Sequence, residues 1–400
     1  MLFFRCCTKA ILFSPTAVKD PVGGRGHRYC CIWNMCMTTI IREKIQSGGP
    51  ISFCDFMEMA LYYPGEGYYT AGVTRIGKNG DFYTSCFLTS LFGKLIAKQL
   101  EQMWMILGKK AFTIVEMGAG TGLLCRDILE QVKKNNRFYE DVTYYIVDKN
   151  YKLREQIESI DGNKLKWFEQ LSDLPPITGC IISNELIDNF AVHQVTMKDE
   201  LKEIFVEYEN GFREILVPAR ESLVKYFDEL KVKLPTDYRT EINLQAIAWM
   251  QEVAAILNKG FVVTIDYGFP SIELYSEKRR SGTLVCYHKH HVNYCPYENI
   301  GEQDITAHVN FSALHHWGTQ SGLSSCGFTN QAQFLLGLGF TSELCEMERN
   351  GNGNAMTTDK KLLLGTFLQD MGRRMKVLIQ QKEVGRPALM GLQFSQRLDS

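Results

Sequence analysis

Five short apolar runs, separated by stretches of helical spacing, most narrowly limit how this chain can fold. They are Phe112-Thr113-Ile114-Val115-Glu116-Met117, Thr143-Tyr144-Tyr145-Ile146-Val147-Asp148, residues 164–168, Gly179-Cys180-Ile181-Ile182-Ser183-Asn184 and Phe261-Val262-Val263-Thr264-Ile265-Asp266. Near-continuous apolar runs suit strands covered on both faces, and strands that alternate with helices build a parallel sheet of that kind. Helical patterns at 123 to about 133 and at 152–158 fill two of the intervals. The expectation is an α/β, doubly wound sheet.

Between the fourth and fifth runs the rhythm changes. Residues 192–197, 203–208 and 212–217 read as a meander, with Asn210-Gly211 as a two-residue hairpin turn. Helical patterns at 222–230 and 244–257 follow, joined by a loop around Pro235. We expect an inserted lobe at about 198–258, over the carboxyl edge of the sheet, where open α/β folds bind ligands. Upstream, 40–45 has helical spacing and stops at Gly48-Gly49-Pro50, and Ser52 is placed to cap a helix carrying Phe53, Phe56, Met57, Ala60 and Leu61. An aromatic loop at 62–69, a turn at Gly80-Asp81-Phe82 and a helix over 91–104 complete a helical N-terminal region, 43–110. The main domain is then 111–380 and a tail 381–400.

Composition narrows the function classes. Apolar residues make up 45%, charged residues 22%, and the formal net charge is -1, which gives no electrostatic footprint for nucleic acid. No run approaches the ~18 apolar residues of a membrane-spanning helix, so no integral membrane segment is expected. The 13 cysteines form no CxxC and no disulfide-scaffold spacing, which reads as reduced thiols. Residues 1–42 hold Arg5, Lys9, Lys19, Arg25, Arg28 and Arg42 against one acid, Asp20. That bias predicts a mitochondrial transit segment, with a cytosolic tail as the alternative.

The strongest local signal is Glu116-Met117-Gly118-Ala119-Gly120-Thr121-Gly122, at the end of a strand and the start of a helix. Glycine lets the backbone turn sharply and approach a ligand without a Cβ in the way. A dinucleotide fingerprint needs its third glycine at 123, where this chain has Leu123, which disfavours an NAD-dependent dehydrogenase. The GxGxG spacing instead resembles motif I of class I methyltransferases, which implies S-adenosylmethionine as cofactor, seated by Gly118, Gly120 and Gly122. In that family Glu116 is expected to face the cofactor's ammonium side, and Asp148, closing the second run, to accept its ribose hydroxyls. A purely structural tight turn is the other reading of the same residues.

The fourth run leads into Ser183-Asn184-Glu185-Leu186-Ile187-Asp188-Asn189-Phe190-Ala191-Val192-His193. An amide, two carboxylates and an imidazole thus meet at the sheet's carboxyl edge. Methyl transfer from a sulfonium is an in-line displacement that needs alignment rather than a metal. Carboxylates can hold a guanidinium bidentately and aim one nitrogen. We therefore expect Glu185 and Asp188 to be catalytic and Asn184 to contact the cofactor; capping of a following helix is the alternative for Glu185 and Asp188. Cys286, His288, His290, His291 and Cys295 fit no common zinc spacing, and no metal is expected.

Dispersed motifs in a fixed order carry a closer resemblance. Gly49-Pro50-Ile51-Ser52-Phe53, Tyr62-Tyr63-Pro64-Gly65-Glu66-Gly67-Tyr68-Tyr69, Gly80-Asp81-Phe82-Tyr83-Thr84, Leu91-Phe92-Gly93, Asn184-Glu185-Leu186-Ile187-Asp188 and Ile265-Asp266-Tyr267-Gly268 come first. Gly282-Thr283-Leu284, 301–309, 333–339 and 371–377 follow. Over about residues 43–380 the chain resembles the MidA-like methyltransferases. The resemblance implies a Rossmann-like sheet with an inserted substrate lobe and a helical N-terminal extension. It also implies a mitochondrial matrix enzyme that symmetrically dimethylates arginine on a respiratory complex I core subunit during complex I assembly. Three departures stand out: Cys86-Phe87-Leu88-Thr89 replaces the family's Pro-Glu-Ile-Ser, Thr121 its Arg, and Asn310 its Asp. The loss of a carboxylate at Phe87 also admits a catalytically degenerate assembly factor that binds a partner subunit.

Overall fold

The structure, a computed structural model, describes residues 36–71, 81, 85–150, 153–350, 361–395 and 398. Most of the expected transit segment, and the turn at Gly80-Asp81-Phe82 apart from Asp81, lie outside the described residues.

Along the chain the strands are β1 (Ile51–Ser52), β2 (Phe112–Met117), β3 (Val142–Val147), β4 (Leu165–Phe168), β5 (Ile177–Asn184), β6 (His193–Met197), β7 (Leu201–Tyr208) and β8 (Phe212–Pro218). There follow β9 (Arg239–Ile242), β10 (Leu257–Phe269), β11 (Val285–His288), β12 (His291–Asn293), β13 (Asp304–Thr306), β14 (Val309–Asn310), β15 (Ser324–Asn330) and β16 (Met375–Lys382). The five apolar runs become β2, β3, β4, β5 and β10, all parallel to their neighbours among them. They form the centre of an eight-stranded sheet in the order β15-β16-β10-β5-β2-β3-β4, with β14 beside β10. From β2 the chain builds outward through β3 and β4, then crosses back to lay β5 and β10 on the other side. That reversal leaves a crevice at the carboxyl ends of β2 and β5, where ligands bind in open α/β sheets.

Both faces are covered, which is why the strand runs are apolar throughout. On one face Leu95, Ile96 and Leu100 of the helix Leu91–Ile106, with Leu124 and Ile128 of Leu123–Val132, pack on Phe112, Ile114, Tyr144 and Ile182. On the other, the helix Leu244–Ile256 buries Trp249, Met250 and Val253 against Val115, Ile181, Val262 and Leu378. The latter helix is thus the crossover into β10. We accordingly propose that the inserted lobe spans 193–242 rather than about 198–258, and that the main domain begins with the helix at 91 rather than at 111.

A five-stranded sheet, β1-β7-β6-β9 with β8 on β7, forms the lobe's framework. Its β1 comes from the N-terminal region and pairs antiparallel with β7, Ile51 opposite Val206. Ser52 caps the helix Phe53–Tyr62 as expected, its side chain accepting from the Asp55 N–H at 3.1 Å. Phe53, Phe56 and Met57 then pack with Val206, Cys286 and Ile305, which joins the N-terminal helices to the lobe and to the small sheet β12-β11-β13. Among the described residues no helix is long and apolar enough to cross a membrane.

Close approach, rather than turning, explains two glycines at the start of the central strands. A Cβ on Gly260 (φ 138°) would lie 1.9 Å from the Gly179 carbonyl oxygen, whereas one on Gly385 (φ 90°) would meet nothing within 4 Å. Gly385→Ala should cost about 1–3 kcal/mol of backbone strain, and Gly260→Ala a further ~1–3 kcal/mol of overpacking against backbone. Denaturant unfolding of the two variants checks this; equal losses would contradict it.

Candidate active site

Three of the five residues of the glycine loop's core take left-handed backbone in alternation with non-glycine neighbours: Gly118 (φ 67°), Gly120 (φ 51°) and Gly122 (φ 75°). At Gly118 and Gly122 protein atoms alone explain the choice, since a Cβ would come within 2.7 Å of Leu186 Cδ1 and 2.8 Å of Ile157 Cγ1. The loop is tied to β3 by the Gly118 N–H, which donates to the Val147 carbonyl at 2.9 Å. One residue further, Asp148 accepts from the Asn150 N–H at 2.8 Å and lies against the Gly120 N–H; burial raises its carboxyl above the ordinary range. The Asn150 amide donates to the Tyr69 carbonyl at 3.2 Å, and the rings of Tyr62 and Tyr69 stack at 5.5 Å. Thus the aromatic loop of the N-terminal region lies beside Asp148.

Glu116, the acid just before the loop, is the last but one residue of β2. It lies on the face of β2 shared with Ile114, 3% exposed, and takes a short hydrogen bond from the Tyr144 hydroxyl. Burial pushes its carboxyl up to about 8.

At the end of β5 the chain makes a strained corner. Glu185 has φ 51°, a conformation that costs a non-glycine residue of order 1–3 kcal/mol and persists only where the surroundings over-determine it. Here they do: the Glu185 N–H donates to the Ile265 carbonyl at 2.9 Å, and Asp266, just past the last β10 residue paired with β5, has a carboxylate that accepts from Leu186 N–H (3.2 Å), Ile187 N–H (2.8 Å) and Tyr267 N–H (2.8 Å). Asp266 is 0% exposed, and burial pushes it up to about 7 even against those donors. In the sequence Asp266 ends the fifth apolar run as Asp148 ends the second, which is the signal that marks it.

The corner aims a carboxylate outward. Glu185 Oε1 accepts from the Ser85 N–H and from Asn184 Nδ2, both at 3.2 Å, which leaves Oε2 for a ligand. Burial, then the neighbouring Asp266, pushes Glu185 up to about 8. Asn184 Oδ1 and Asp188 Oδ1 are buried without hydrogen-bond partners. No α-helix follows for Glu185 and Asp188 to cap, only the 3-10 turn Ile187–Asn189. The His193 imidazole turns away to Glu203 at 2.8 Å, inside the small sheet.

Glu185 and Asp188 open on a cavity of about 730 Å³, whose wall also includes Asp81, Asp304, Tyr69 and Tyr287. Asp304 receives the Tyr69 hydroxyl at 2.9 Å and Asp81 that of Tyr68 at 2.8 Å. Burial pushes Asp304 up to about 7, and holds Asp188 well above its usual range, with Asp266, Asp304 and Glu185 adding to the effect. Asp81, Asp304, Tyr69 and Asp266 are site residues that sequence reasoning did not single out. Cys286, His288 and His290 share no strand face, because β11 ends at His288 while Lys289 (φ 48°) and His290 (φ 62°) form the turn. The Phe87 side chain lies outside the described residues.

The residues present suit S-adenosylmethionine: a left-handed glycine loop, a buried acid at Asp148, and an orphaned amide oxygen on Asn184 next to Glu185. Comparison with known proteins agrees. Residues 95–329 match the family described as "Putative S-adenosyl-L-methionine-dependent methyltransferase". A COG1565 superfamily member from Burkholderia thailandensis, solved bound to S-adenosyl-homocysteine, superposes with a TM-score of 0.80 at 30% identity, covering 90% of this chain and 95% of that one. The "Protein arginine methyltransferase NDUFAF7, mitochondrial" of Homo sapiens is 26% identical over 75% of this chain and 73% of its own length. Its Drosophila melanogaster homolog is 25% identical over 74% and 73%. With fold, loop and relatives in agreement, the chain belongs to the MidA-like family of S-adenosylmethionine-dependent methyltransferases.

Proposed function

We propose that this methyltransferase acts on an arginine side chain of a protein, with Glu185 and Asp188 as the residues that hold and deprotonate it. The observation that carries this is the cavity wall itself: Glu185, Asp188, Asp304 and Asp81 converge there with the rings of Tyr69 and Tyr287. A guanidinium remains charged even when buried, pairs with carboxylates through a planar fork and stacks on aromatic faces. Carboxyls crowded together and raised in pKa are stable when a cation joins them, and costly as free anions. The names of the relatives, protein arginine methyltransferases of mitochondria, support the same substrate class.

The cofactor supplies an electrophilic methyl group. Gly118, Gly120, Gly122, Asp148 and Asn184 would hold it at the crevice, with Glu116 just before the loop. Glu185 Oε2 then orients one guanidinium nitrogen, and a carboxylate takes the proton that leaves when the new N–C bond forms. A base titrating near neutrality is matched to that task. Following the family, the finer reading is symmetric dimethylation of a respiratory complex I core subunit in the mitochondrial matrix, in support of complex I assembly. A degenerate scaffold is disfavoured because the strain at Glu185 and the orphaned oxygens of Asn184 and Asp188 serve no packing purpose.

Two variants test the two halves of the site. Gly120→Val places a β-branched residue at φ 51° in the loop and should abolish binding of S-adenosylhomocysteine in a calorimetric titration while the far-ultraviolet spectrum stays unchanged. Binding at the parental affinity would remove the loop from the site. Glu185→Gln keeps the acceptor that Ser85 and Asn184 use but loses the charge, so kcat/KM on an arginine peptide should fall about ten- to hundredfold, the equivalent of roughly 1.5–3 kcal/mol. Cofactor affinity should hardly move. In the parent, Glu185 is protonated below about 8, so kcat/KM should rise with pH up to that value; in Glu185→Gln the rise should flatten. A variant with parental rates and pH profile would return Glu185 to a structural role.

A further inference from the structure

We propose that the enzyme selects an arginine with an acidic residue close by in the substrate chain, because cations also gather at the cavity wall, around Phe269 and Arg374. This rests on the reading that a guanidinium occupies the acidic wall. The basic wall is made by Phe269, His308 and Arg374, all of which line the cavity. Two further cations sit on the Phe269 ring: the Arg279 guanidinium carbon 3.5 Å from its centroid, and Lys376 Nζ at 5.4 Å. The His308 ring meets the same phenyl edge-on at 5.2 Å.

The two walls meet at Tyr287, whose hydroxyl is acted on by Asp188 and Asp304 on one side and by Arg374 on the other. The charges acting on Glu185, Asp188 and Asp304 are other carboxylates, whereas those acting on His308 are Arg279, Lys376 and Arg374. Burial and those three cations push His308 down to about 4, so its imidazole is neutral at physiological pH, and its buried Nδ1 has no hydrogen-bond partner. Two carboxylates temper the basic wall. Glu273 acts on Lys376, and Asp370 pairs with Arg374 at 3.1 Å. The Asp370–Arg374 pair is more than half exposed on both sides, 61% and 73%. Such a pair is worth little in water, so Arg374 can exchange Asp370 for a ligand anion.

A cavity of about 730 Å³ is of the size that holds a drug-sized ligand, more than one side chain. Its lip carries Val292 and Tyr294, 55% and 73% exposed, apolar surface for the neighbouring peptide. The cofactor's own carboxylate is a poor occupant of the basic wall, since Gly118, Gly120, Gly122 and Asp148 lie on the β2 and β3 side of the sheet and His308, Arg374 and Lys376 beside β10 and on β16. With Arg on the acidic wall and Glu or Asp on the basic one, a substrate's two charges are both matched.

The test uses the purified full chain, S-adenosylmethionine and peptides with one arginine and a glutamate, alanine or lysine placed one to three residues to either side, with free arginine alongside. The expected kcat/KM is about tenfold higher with glutamate than with alanine and lower again with lysine. Arg374→Glu, a change at a residue 73% exposed, should erase the preference for glutamate, favour lysine, and leave S-adenosylhomocysteine affinity and the far-ultraviolet spectrum unchanged. Equal rates on the three peptides would overturn the proposal while leaving arginine methylation intact. So would loss of S-adenosylhomocysteine affinity in Arg374→Glu, which would assign the wall to the cofactor, or free arginine outperforming the glutamate peptides, which would assign it to arginine's own carboxylate. Failure to methylate any of these substrates, by protein that binds S-adenosylhomocysteine, would sink the arginine reading on which the proposal stands.

Discussion

The corner after β5 hangs on one buried carboxylate. Asp266 takes the N–H groups of Leu186, Ile187 and Tyr267, and so ties the end of β5 to β10 at the point where the sheet opens for ligands. That clamp, together with the Glu185 N–H bond to the Ile265 carbonyl, holds Glu185 at φ 51°. Leu186 in turn fills the space that a side chain at Gly118 would need, so the same corner fixes the glycine loop. The Glu185 corner and the glycine loop are thereby one mechanical unit, built on strand ends.

Much of this was legible in the residues. The parallel centre of the sheet was, because β2, β3, β4, β5 and β10 are covered on both faces and read as apolar runs. The antiparallel edge was hidden: β16 places Gln380 and Gln381 in the interior, and β15 is Ser-Ser-Cys-Gly-Phe-Thr-Asn, so neither shows a strand pattern. Spacing placed the glycine loop, Asp148 and the corner at Glu185. It could not show that Asp304, Asp81 and Tyr69 join them, since those positions are far apart in sequence and meet only through the packing of the N-terminal helices against the small sheet. The family departure at Asn310 now has a physical reading. Its Oδ1 caps the helix Phe311–Gln320 while its amide donates to the Tyr226 and Tyr275 hydroxyls at 3.0 and 3.2 Å, a donation that an aspartate could not make.

Collecting acids in a dry cleft has a cost for the fold. Glu116 and Glu185 titrate at about 8, and Asp266 and Asp304 at about 7, against about 4 for ordinary carboxyls. Between those limits the folded chain binds more protons than the unfolded one, so these groups favour the fold at low pH and that contribution is lost as pH rises to about 8. Binding of a guanidinium reverses the balance for the carboxyls that face the cavity, because the ion pair favours their charged form. Such tension between stability and charge is typical of sites built for chemistry.

On the proposed reading, the strained corner presents Glu185 to a substrate guanidinium beside the cofactor. A crystal structure of the protein with S-adenosylhomocysteine and an arginine peptide tests this. The expected complex has the cofactor at the glycine loop and Asp148, with the guanidinium within hydrogen-bond distance of Glu185 Oε2 and one nitrogen facing the cofactor's sulfur. An arginine bound outside the cavity, or a cofactor seated away from Gly120 and Asp148, would contradict it.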